Sequence, residues 1–407
     1  MKLANLSLAA ILVAGLTTSS FAADTLADAF KEGKVSGELR AWYFDRDRDA
    51  DNESANIFAT GLRLNYITGS LYGFSLGATM QSSFQPNASD DAKVVFEDEM
   101  YGSGAQLSEA YVLYKLGNTT AKVGRQFIKT PLIGSSTSRM ITQSFEAALL
   151  TNTDIPQTTL MAGVVTKFQA RTDGDAIADF EALNNDHDYA YTAMAINKSI
   201  PNVELTVQYL TLDNDAKGAT ATSRKQGYKD YYFEAEYTNK YNRFNYGIAA
   251  NYLYTDWEEY DAAKMYGVKV NLGYENFKTY VAYSSISDDD GNKGVKAGLG
   301  GGAQPNYVKG KQVKVGTYSS DTSGYSIDAN YNFKQFNLLT GARYTKLDVN
   351  SAASNRDDQK ITDFYASYKF TGALKGLQFD ALYTILSGEF TDANKGEELW
   401  FKANYKF

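Results

Sequence analysis

Hydrophobic and polar residues alternate along most of this chain, and the final segment shows the pattern most clearly. Within the segment Glu397 to Phe407, one face of an extended strand carries five consecutive apolar or aromatic side chains: Leu399, Phe401, Ala403, Tyr405 and Phe407. The other face, from Glu398 to Lys406, is charged or amide-bearing apart from Trp400. Because successive strand residues point to opposite faces, this pattern predicts a strand with lipid on one side and water on the other.

Segments of this kind recur along the chain, each about eight to twelve residues long, which is about the length of a tilted membrane-spanning strand. The first runs from Val35 to Phe44, and counting onward gives about eighteen segments. The two weakest, near 145–152 and 189–198, leave about sixteen strands as the alternative.

Short and long connections alternate between these segments. Thr68–Tyr72 and Leu116–Thr119 are short, Ser82–Gln106 and Gln169–Asp188 are long, and the first connection, Asp45–Asn56, is also long and acidic. Membrane barrels have short turns at one end and longer loops at the other. The sequence therefore predicts an all-β fold, a transmembrane antiparallel up-and-down β-barrel of about eighteen strands, with both chain ends periplasmic.

The amino-terminal segment has the features of a secretory signal peptide. Lys2 precedes an apolar run that ends at Leu16, and this run is too short to span a bilayer comfortably. We predict a signal peptide over 1–22, a short periplasmic segment over 23–34 and the barrel over 35–407. Apolar residues at helical spacing in the middle part predict either a short helix or a disordered segment.

Composition narrows the class of protein. The chain has 0 Cys, 5 Pro, 33 Gly, 31 Tyr and 22 Phe, which excludes disulfides and thiolate metal sites and favours strands. A mean hydropathy of -0.39 without a second long apolar run excludes a helical membrane protein, whereas barrels expose only half of each strand to lipid. The net charge of -8 gives no reason to expect a nucleic-acid partner.

A closed barrel of this size leaves an aqueous channel, so passage of small hydrophilic solutes is the expected function. Strand parity turns side chains of both signs toward this lumen. The basic candidates are Arg40, Arg63, Lys122 and Arg343, and the acidic candidates are Glu234, Glu236, Asp363 and Asp380. Because the charges nearly balance, selectivity must depend on which of them lie at the narrowest point, and hence on a loop folded into the lumen.

The third loop, assigned to residues 128–144, and its flanks carry the most specific motifs. They read V-G-R-Q before the loop, T-P-L and S-R-M-I-T-Q within it, and S-F-E-A-A after it. In these stretches, and in G-E-L-R-A-W-Y-F-D-R-D near the start and G-A-L-K-G-L near the end, the sequence resembles the OprD family of outer-membrane porins. It departs from that family at Met140-Ile141-Thr142, where Leu-Leu-Pro is frequent, and at Ala147, where Gly is frequent.

The resemblance implies a channel of about eighteen strands for small, often carboxylate-bearing solutes, with a basic ladder leading to a constriction lined by the third loop. Motif positions support Arg125, Lys129 and Arg139 as cations at this constriction. Strict parity with Val123 would turn Arg125 outward, to lipid or to the rim. We therefore expect a bulge beside Gly124 that brings Arg125 into the lumen.

These expectations place the protein in the outer membrane of a Gram-negative bacterium, in contact with lipid and lipopolysaccharide. The expected partners are small hydrophilic solutes and the barrel-assembly machinery, for which the terminal Phe407 is the expected signal. We predict no enzymatic activity, no cofactor and no metal, and either a monomer or a trimer. Tyrosines near strand ends, such as Tyr43 and Tyr283, are expected in aromatic girdles at the membrane surfaces.

Two other functions remain open from the sequence. The single histidine, His187, lies beside two aspartates in a loop, so a surface hydrolase is the first alternative. The long connection Ser285–Gly324 suggests the second, an adhesive or structural barrel. The acidic runs at Asp45 and Asp288 lack the residue spacing of a calcium loop, and Gly298–Gly302 lacks a strand-to-helix context, so we interpret these as solvated or flexible loops.

Overall fold

The strands close into one barrel in the computed structural model, which describes residues 23–50, 53–183, 189–212, 227–287, 293–311, 318–349, 358–389 and 394–407. Wall strands that follow each other in the chain pair antiparallel. The last strand pairs with the first, from Gly396 opposite Arg48 to Lys406 opposite Glu38. The predicted antiparallel up-and-down barrel is therefore confirmed.

Eighteen strands build the barrel wall. The first seven are β1 (Lys34–Arg48), β2 (Ala55–Ile67), β3 (Phe74–Ser83), β4 (Gly104–Leu116), β5 (Thr119–Gln126), β6 (Ser144–Asn152) and β7 (Thr158–Gln169). Three short strands follow within one connection: β8 (Thr172–Asp173), β9 (Ala176–Ile177) and β10 (Phe180–Ala182). The remaining wall strands are β11 (Ala190–Asn197), β12 (Val203–Leu212), β13 (Tyr228–Tyr241), β14 (Phe244–Trp257), β15 (Ala263–Tyr274), β16 (Phe277–Ile286), β17 (Thr322–Phe333), β18 (Leu338–Val349), β19 (Gln359–Lys369), β20 (Leu377–Gly388) and β21 (Gly396–Lys406).

The described helical elements are all short. They are α1 (Leu26–Lys31), α2 (Asp90–Val95) and two 3-10 turns, Lys334–Phe336 and Gly372–Leu374. Helix α1 lies against the turn between β2 and β3, where the Gly69 N–H donates to the Ala29 carbonyl at 2.8 Å. Of the two alternatives for the segment 23–34, the structure has the helix. No helix in the described part of the chain is long and apolar enough to cross a membrane.

The two weakest predicted segments are the wall strands β6 and β11, so the count of eighteen is confirmed. The first connection is shorter than predicted, because β1 and β2 leave only residues 49–54 between them. Inside the acidic run, Arg46 and Arg48 bond to Glu398 on β21. Most of that run is therefore part of the wall, and its interpretation as a solvated loop is wrong.

The two faces of the wall differ as the alternation predicts. Leu399 and Phe401 are each 41% exposed on the outer face, whereas Trp400 between them is 3% exposed and faces the interior. At the seam between β1 and β21, the Phe407 N–H donates to the Gly37 carbonyl at 3.1 Å and the Gly37 N–H donates back at 3.0 Å. The terminal residue thus extends the ladder that closes the barrel.

Short turns lie at one end of the barrel, here called the turn end, and longer connections lie at the other, the loop end. Four connections at the loop end matter below: the second loop (84–103), the third loop (127–143), the fourth loop (170–189) and the seventh loop (287–321). Apolar residues of these loops pack against inward-facing wall residues in two buried clusters. The described parts of the loops thus occupy much of the lumen.

Candidate functional site in the lumen

The third loop crosses the interior of the barrel and is fixed on both sides by amide side chains of the wall. On β12, Gln208 accepts from the Leu132 N–H at 3.0 Å and donates to the Thr130 hydroxyl at 2.9 Å. On β3, Gln81 accepts from the Thr142 N–H and donates to the Thr142 carbonyl, both at 2.9 Å. The predicted loop folded into the lumen is confirmed.

Two wall cations hold the same loop by its backbone. Arg40 Nη1 on β1 donates to the Met140 carbonyl at 2.7 Å, and Lys402 Nζ on β21 donates to the Ser138 carbonyl at 2.9 Å. Arg40 also pairs with Glu38 at 2.7 Å. Positive charge is thereby concentrated where the loop meets the first and last strands.

Aromatic side chains surround these cations. Trp42, Phe44 and Trp400 point inward, and the Phe44 and Trp400 rings stack with centroids 4.2 Å apart. Lys402 Nζ lies 4.1 Å from the Trp42 ring centre, and the Arg139 guanidinium lies 4.4 Å from the Trp400 ring centre. Cation–π attraction helps to hold both cations among these buried rings.

Arg139 reaches across to the second loop. Its Nε and Nη2 donate to the same Glu99 oxygen at 2.9 and 2.7 Å, and Arg46 Nη2 lies 3.1 Å from that oxygen. Burial raises the pKa of Glu99, but the charges of Arg139 and then Arg46 outweigh it and hold the pKa at about 2. Glu99 is therefore ionised at neutral pH, and its single negative charge balances one of the two positive charges of Arg139 and Arg46.

The seventh loop pairs with the third loop inside the lumen. The Leu299 N–H donates to the Leu132 carbonyl at 2.8 Å, and the Gly134 N–H donates to the Leu299 carbonyl at 2.9 Å. A third bond runs from the Gly302 N–H to the Gly134 carbonyl at 2.9 Å, and the Gly301 N–H donates to Gln143 Oε1 at 2.7 Å. The two loops thus form a short backbone ladder across the channel.

Glycine is required where these loops meet. A Cβ atom at Gly134 would lie 2.1 Å from the Gly302 carbonyl carbon, and one at Gly298 would lie 2.1 Å from the Leu132 oxygen. No side chain fits at such distances. The interpretation of Gly298–Gly302 as a flexible loop is therefore wrong, because its glycines allow close backbone packing.

The fourth loop contributes a cation that strand periodicity could not indicate. Arg171 Nη2 donates to the hydroxyls of Ser136 and Ser138 in the third loop, at 3.0 and 3.2 Å. Burial, followed by repulsion from Arg139, lowers the pKa of Arg171 to about 10, so it remains charged at neutral pH. Arg171 therefore extends the positive surface beside the third loop.

Arg125 lies outside this surface, which corrects the prediction for it. Strand β5 pairs without a shift with β4 from Thr119 to Arg125 and with β6 from Thr119 to Gln126, so no bulge turns Arg125 inward. Its side chain lies 3.9 Å from Glu146 and 4.2 Å from the Phe180 ring centre, at the loop end of the outer face. The bulges occur in neighbouring pairs instead, between β3 and β4 and between β6 and β7.

The other basic candidates lie in the interior. Lys129 is exposed within the third loop, and the described residues show no ion pair for it. Arg63 lies 5.1 Å from the Phe127 ring centre. Lys122 Nζ lies 3.4 Å from Glu109 on the inner wall. Among the three constriction candidates, only Arg139 is therefore brought into the basic cluster around the third loop.

A second charged group lines the wall of β17 to β20. Arg343 pairs with Asp328 at 3.0 Å, and Asp363 accepts from the Lys311 N–H of the seventh loop at 2.8 Å. Lys311 Nζ lies 3.3 Å from the Tyr365 ring centre. Burial, followed by repulsion from Arg343, lowers the pKa of Lys311 to about 8.

The remaining acidic candidates also face inward. Glu234 accepts hydrogen bonds from Tyr232 and Tyr307, and Glu236 lies two residues farther along the same inner face of β13. Asp380 accepts from Gln378 at 2.7 Å. The lumen thus has a basic side around β1, β2 and β21 and a side of mixed charge formed by β13 and β17 to β20.

His187 and the acidic run at Asp288 lie outside the described residues. Sequence reasoning also missed Glu99 and Arg171, since both lie in loops without hydrophobic periodicity. For Arg171, the one signal in the sequence was its position, two residues after the end of β7, where a charged side chain can reach the lumen.

Comparisons with known proteins agree with this geometry. A model of the family described as "outer membrane porin, OprD family" matches residues 28–407. No curated protein matched by sequence. Among solved structures, OccAB2 of Acinetobacter baumannii is 19% identical with a TM-score of 0.77, covering 93% of this chain and 99% of that chain.

Two structures from Pseudomonas aeruginosa are similarly close. OccK9 (OpdG) is 17% identical with a TM-score of 0.78, and OpdK is 14% identical with a TM-score of 0.75. In both cases 93% of this chain and 99% of the other chain are covered. The family and the fold indicate an outer-membrane channel for small solutes rather than an enzyme. The chain belongs to the OprD family of outer membrane porins.

Proposed function

We propose that this channel favours small anionic solutes, above all carboxylates, and passes them by passive diffusion. The observation that carries the proposal is an excess of cations around the third loop. We call these cations the basic wall: Arg40, Arg63, Arg139, Arg171 and Lys402. Among the described residues, only Arg40 and Arg139 of this set form ion pairs, with Glu38 and Glu99.

The position of the basic wall makes the excess charge effective. Exposed charges are screened by salt over about 8 Å, whereas charges in a narrow, partly desolvated neck are screened less. Walls of low dielectric also focus the field into the channel. An anion passing the third loop would therefore have a lower free energy than a neutral solute of the same size.

The side of mixed charge, which begins on β20 next to β21 and continues around the barrel to β13, adds a second selection. Glu234, Asp328 and Asp363 lie there among tyrosines, with Arg343 and Lys311 beside the two aspartates. A field directed from one side of the lumen to the other orients a dipolar solute, with its carboxylate toward the basic wall. This supports partial selectivity by charge distribution as well as by net charge.

A related structure is consistent with this proposal. OpdK of Pseudomonas aeruginosa was solved with vanillate, which is a carboxylate. We infer that this channel accepts the same class of functional group. We also propose that the loop end faces the outside of the cell and contacts lipopolysaccharide, that both chain ends are periplasmic, and that Phe407 serves barrel assembly.

The proposal is tested with two solutes that match in size and differ in charge. Purified protein is reconstituted into liposomes, and the influx of benzoate is compared with that of benzamide. One net attractive charge changes a passage free energy by about 1 kcal/mol in a wet channel, so benzoate should enter roughly fivefold faster. Equal rates, or faster entry of benzamide, would contradict a preference for carboxylates.

A further inference from the structure

Three charged residues lie side by side on the outer face of the wall, at its loop end. Arg125 on β5 pairs in register with Glu146 on β6, and Glu146 pairs with Lys167 on β7. The register shifts directly after Glu146, and the extra residue that this adds to β7 is what turns Lys167 outward. Bulges at barrel rims often re-aim a side chain in this way. We call these three residues the outer charged row.

The outer charged row borders directly on the apolar band of the outer face. The neighbouring outward positions toward the turn end are Val123, Ala148 and Val164, which pair in register across the same three strands. Val123 is 54% exposed, as expected of a side chain that faces lipid. The charged row therefore lies where the hydrocarbon gives way to the headgroup layer, a depth at which barrels tolerate Arg and Lys.

The protein satisfies the two cations of the row only in part. Within the described part of the chain, Lys167 has no hydrogen bond and no ion pair. Arg125 lies 3.9 Å from Glu146, which is long for an ion pair, and both side chains are 35% exposed. Arg125 also contacts the Leu107 carbonyl at 3.4 Å and the Phe180 ring centre at 4.2 Å. Two positive charges thus share one carboxylate, and both keep N–H donors for a partner outside the protein.

An open groove beside the row has room for part of such a partner. Its volume is about 530 Å³, and its lining includes Lys167, Phe180 and Tyr189. Glu181 also lines the groove, but its strand position is opposite Phe168, which packs against the inner cluster. Aromatic rings beside cations are typical of the headgroup level of a membrane. The groove thus combines positive charge with an aromatic surface at the depth of the lipid headgroups.

We infer that Arg125 and Lys167 bind a phosphate group of lipid A, the membrane anchor of lipopolysaccharide, and that its sugar lies in the groove. Phosphate oxygens accept charge-assisted hydrogen bonds from guanidinium and ammonium groups, and the negative charge balances the excess in the row. The apolar band below the row continues into the acyl chains of the same lipid. This inference rests on the proposed function, which places the loop end outside the cell, and it names the residues that make the contact.

The test measures the affinity of the purified protein for diphosphoryl lipid A. Native mass spectrometry in detergent resolves the bound lipid, and a titration gives the dissociation constant. A cation beside an anionic lipid surface contributes about fivefold to affinity, so Arg125→Gln and Lys167→Gln should each raise the constant about fivefold. Lipid A without phosphate groups should bind the wild type as weakly as diphosphoryl lipid A binds the double variant.

A third substitution in the row should have the opposite effect. Glu146→Gln removes its one carboxylate, so the dissociation constant for diphosphoryl lipid A should fall about fivefold. As the matched control, Arg243→Gln with Lys334→Gln removes the same two kinds of charge at the turn end and should leave the constant unchanged. Heat-modifiable mobility on gels verifies that each variant has assembled.

Several results would overturn the inference. Wild-type affinity in both cation variants is the first, and equal affinity of the wild type for lipid A with and without phosphate groups is the second. Displacement of lipid A by inorganic phosphate at equal concentration would show that the site binds a free anion instead. Dissociation of a dimer or trimer by Arg125→Gln would show that a second copy of the chain covers the row.

A separate measurement distinguishes failure of this inference from failure of the proposed orientation. The chain has 0 Cys, so an introduced cysteine reacts alone. In intact cells, a maleimide on a polymer too large for the channel should label Asp91→Cys at the loop end but not Tyr72→Cys at the turn end. The reverse labelling would defeat both the orientation and the inference. Labelling as expected, with wild-type lipid A affinity in the cation variants, would defeat the inference alone.

Discussion

Opposite changes in ion selectivity are expected from neutralising the two members of the Arg139–Glu99 pair. Arg139 contacts one Glu99 oxygen through two nitrogens, and Arg46 contacts the same oxygen. Glu99→Gln removes the negative charge and leaves Arg139 without a carboxylate partner, whereas Arg46 keeps its contact with Glu398. Arg139→Gln removes a positive charge and leaves Glu99 to Arg46 alone.

The size of the effect follows from one unit charge beside the solute path. A charge about 5 Å from a passing ion contributes about 0.8 kcal/mol in water and about 3 kcal/mol at an effective dielectric constant of about 20. A water-filled neck lies toward the lower figure. The ratio of chloride to potassium permeability should therefore change roughly fivefold, upward in Glu99→Gln and downward in Arg139→Gln.

Reversal potentials in a potassium chloride gradient measure this ratio directly. Gln has the shape of Glu, and at the arginine position it keeps hydrogen-bonding groups, so both variants should assemble, and retained heat-modifiable mobility on gels verifies this. The reasoning would be refuted if both substitutions shifted the reversal potential in the same direction, since a conformational change of the third loop would then dominate over charge.

Three further predictions concern pH, loop packing and barrel closure. Because the pKa of Lys311 is about 8, its charge is present at about pH 7 and mostly lost at about pH 9, so anion preference should fall over that range. Arginine stays charged at both pH values, so Lys311→Arg should abolish the fall. A fall of equal size in that variant would rule out Lys311 as its source. Gly134→Ala forces a methyl group against the Gly302 backbone, 2.1 Å away. It should therefore separate the third loop from the seventh and raise single-channel conductance. Unchanged conductance would show that the backbone ladder between these loops does not limit ion flow. Deletion of Phe407 removes both hydrogen bonds to Gly37 and should lower the amount of assembled barrel in outer-membrane fractions; wild-type amounts would argue against an assembly role.

Periodicity predicted the wall well because one physical constraint acts on every strand. Lipid on one side and water on the other fix the face of each residue, so a single segment such as 396–406 already defines the pattern. In the structure Arg40, Arg63 and Lys122 lie on the inner side of the wall. The count of eighteen segments also included the two weak strands β6 and β11, without which sixteen strands would remain.

Counting residues along a strand to predict which side chains face inward fails in β7, which contains one extra residue opposite β6. Thr166 has no opposite residue in the register with β6, because Glu146 pairs with Lys167 and Ala147 pairs with Val165. Lys167 therefore follows Glu146 to the outer side, although counting along the strand would turn it inward. A bulge was expected beside Gly124 because glycine often marks one, but Gly124 instead lies close to the Ala110 backbone, where a Cβ would be 2.2 Å from its oxygen.

The interior of the channel could be predicted only in part. Motif resemblance identified the third loop and Arg139, because both lie within the quoted motifs. Arg171, Glu99 and the glycine ladder depend on which loops meet in space, and loops have no periodicity that would indicate such meetings. A glycine-rich composition fits a solvated loop and a closely packed loop equally well. The segment 298–302 is an example, because it packs against the third loop.

The central claim is that the basic wall makes this channel prefer carboxylate anions. The most direct measurement is the reversal potential of the purified wild-type channel in a gradient of potassium benzoate at neutral pH. The account predicts the sign of an anion-selective channel, with benzoate more permeant than potassium. A cation-selective potential would contradict it, because the excess of positive charge beside the third loop would then not govern passage.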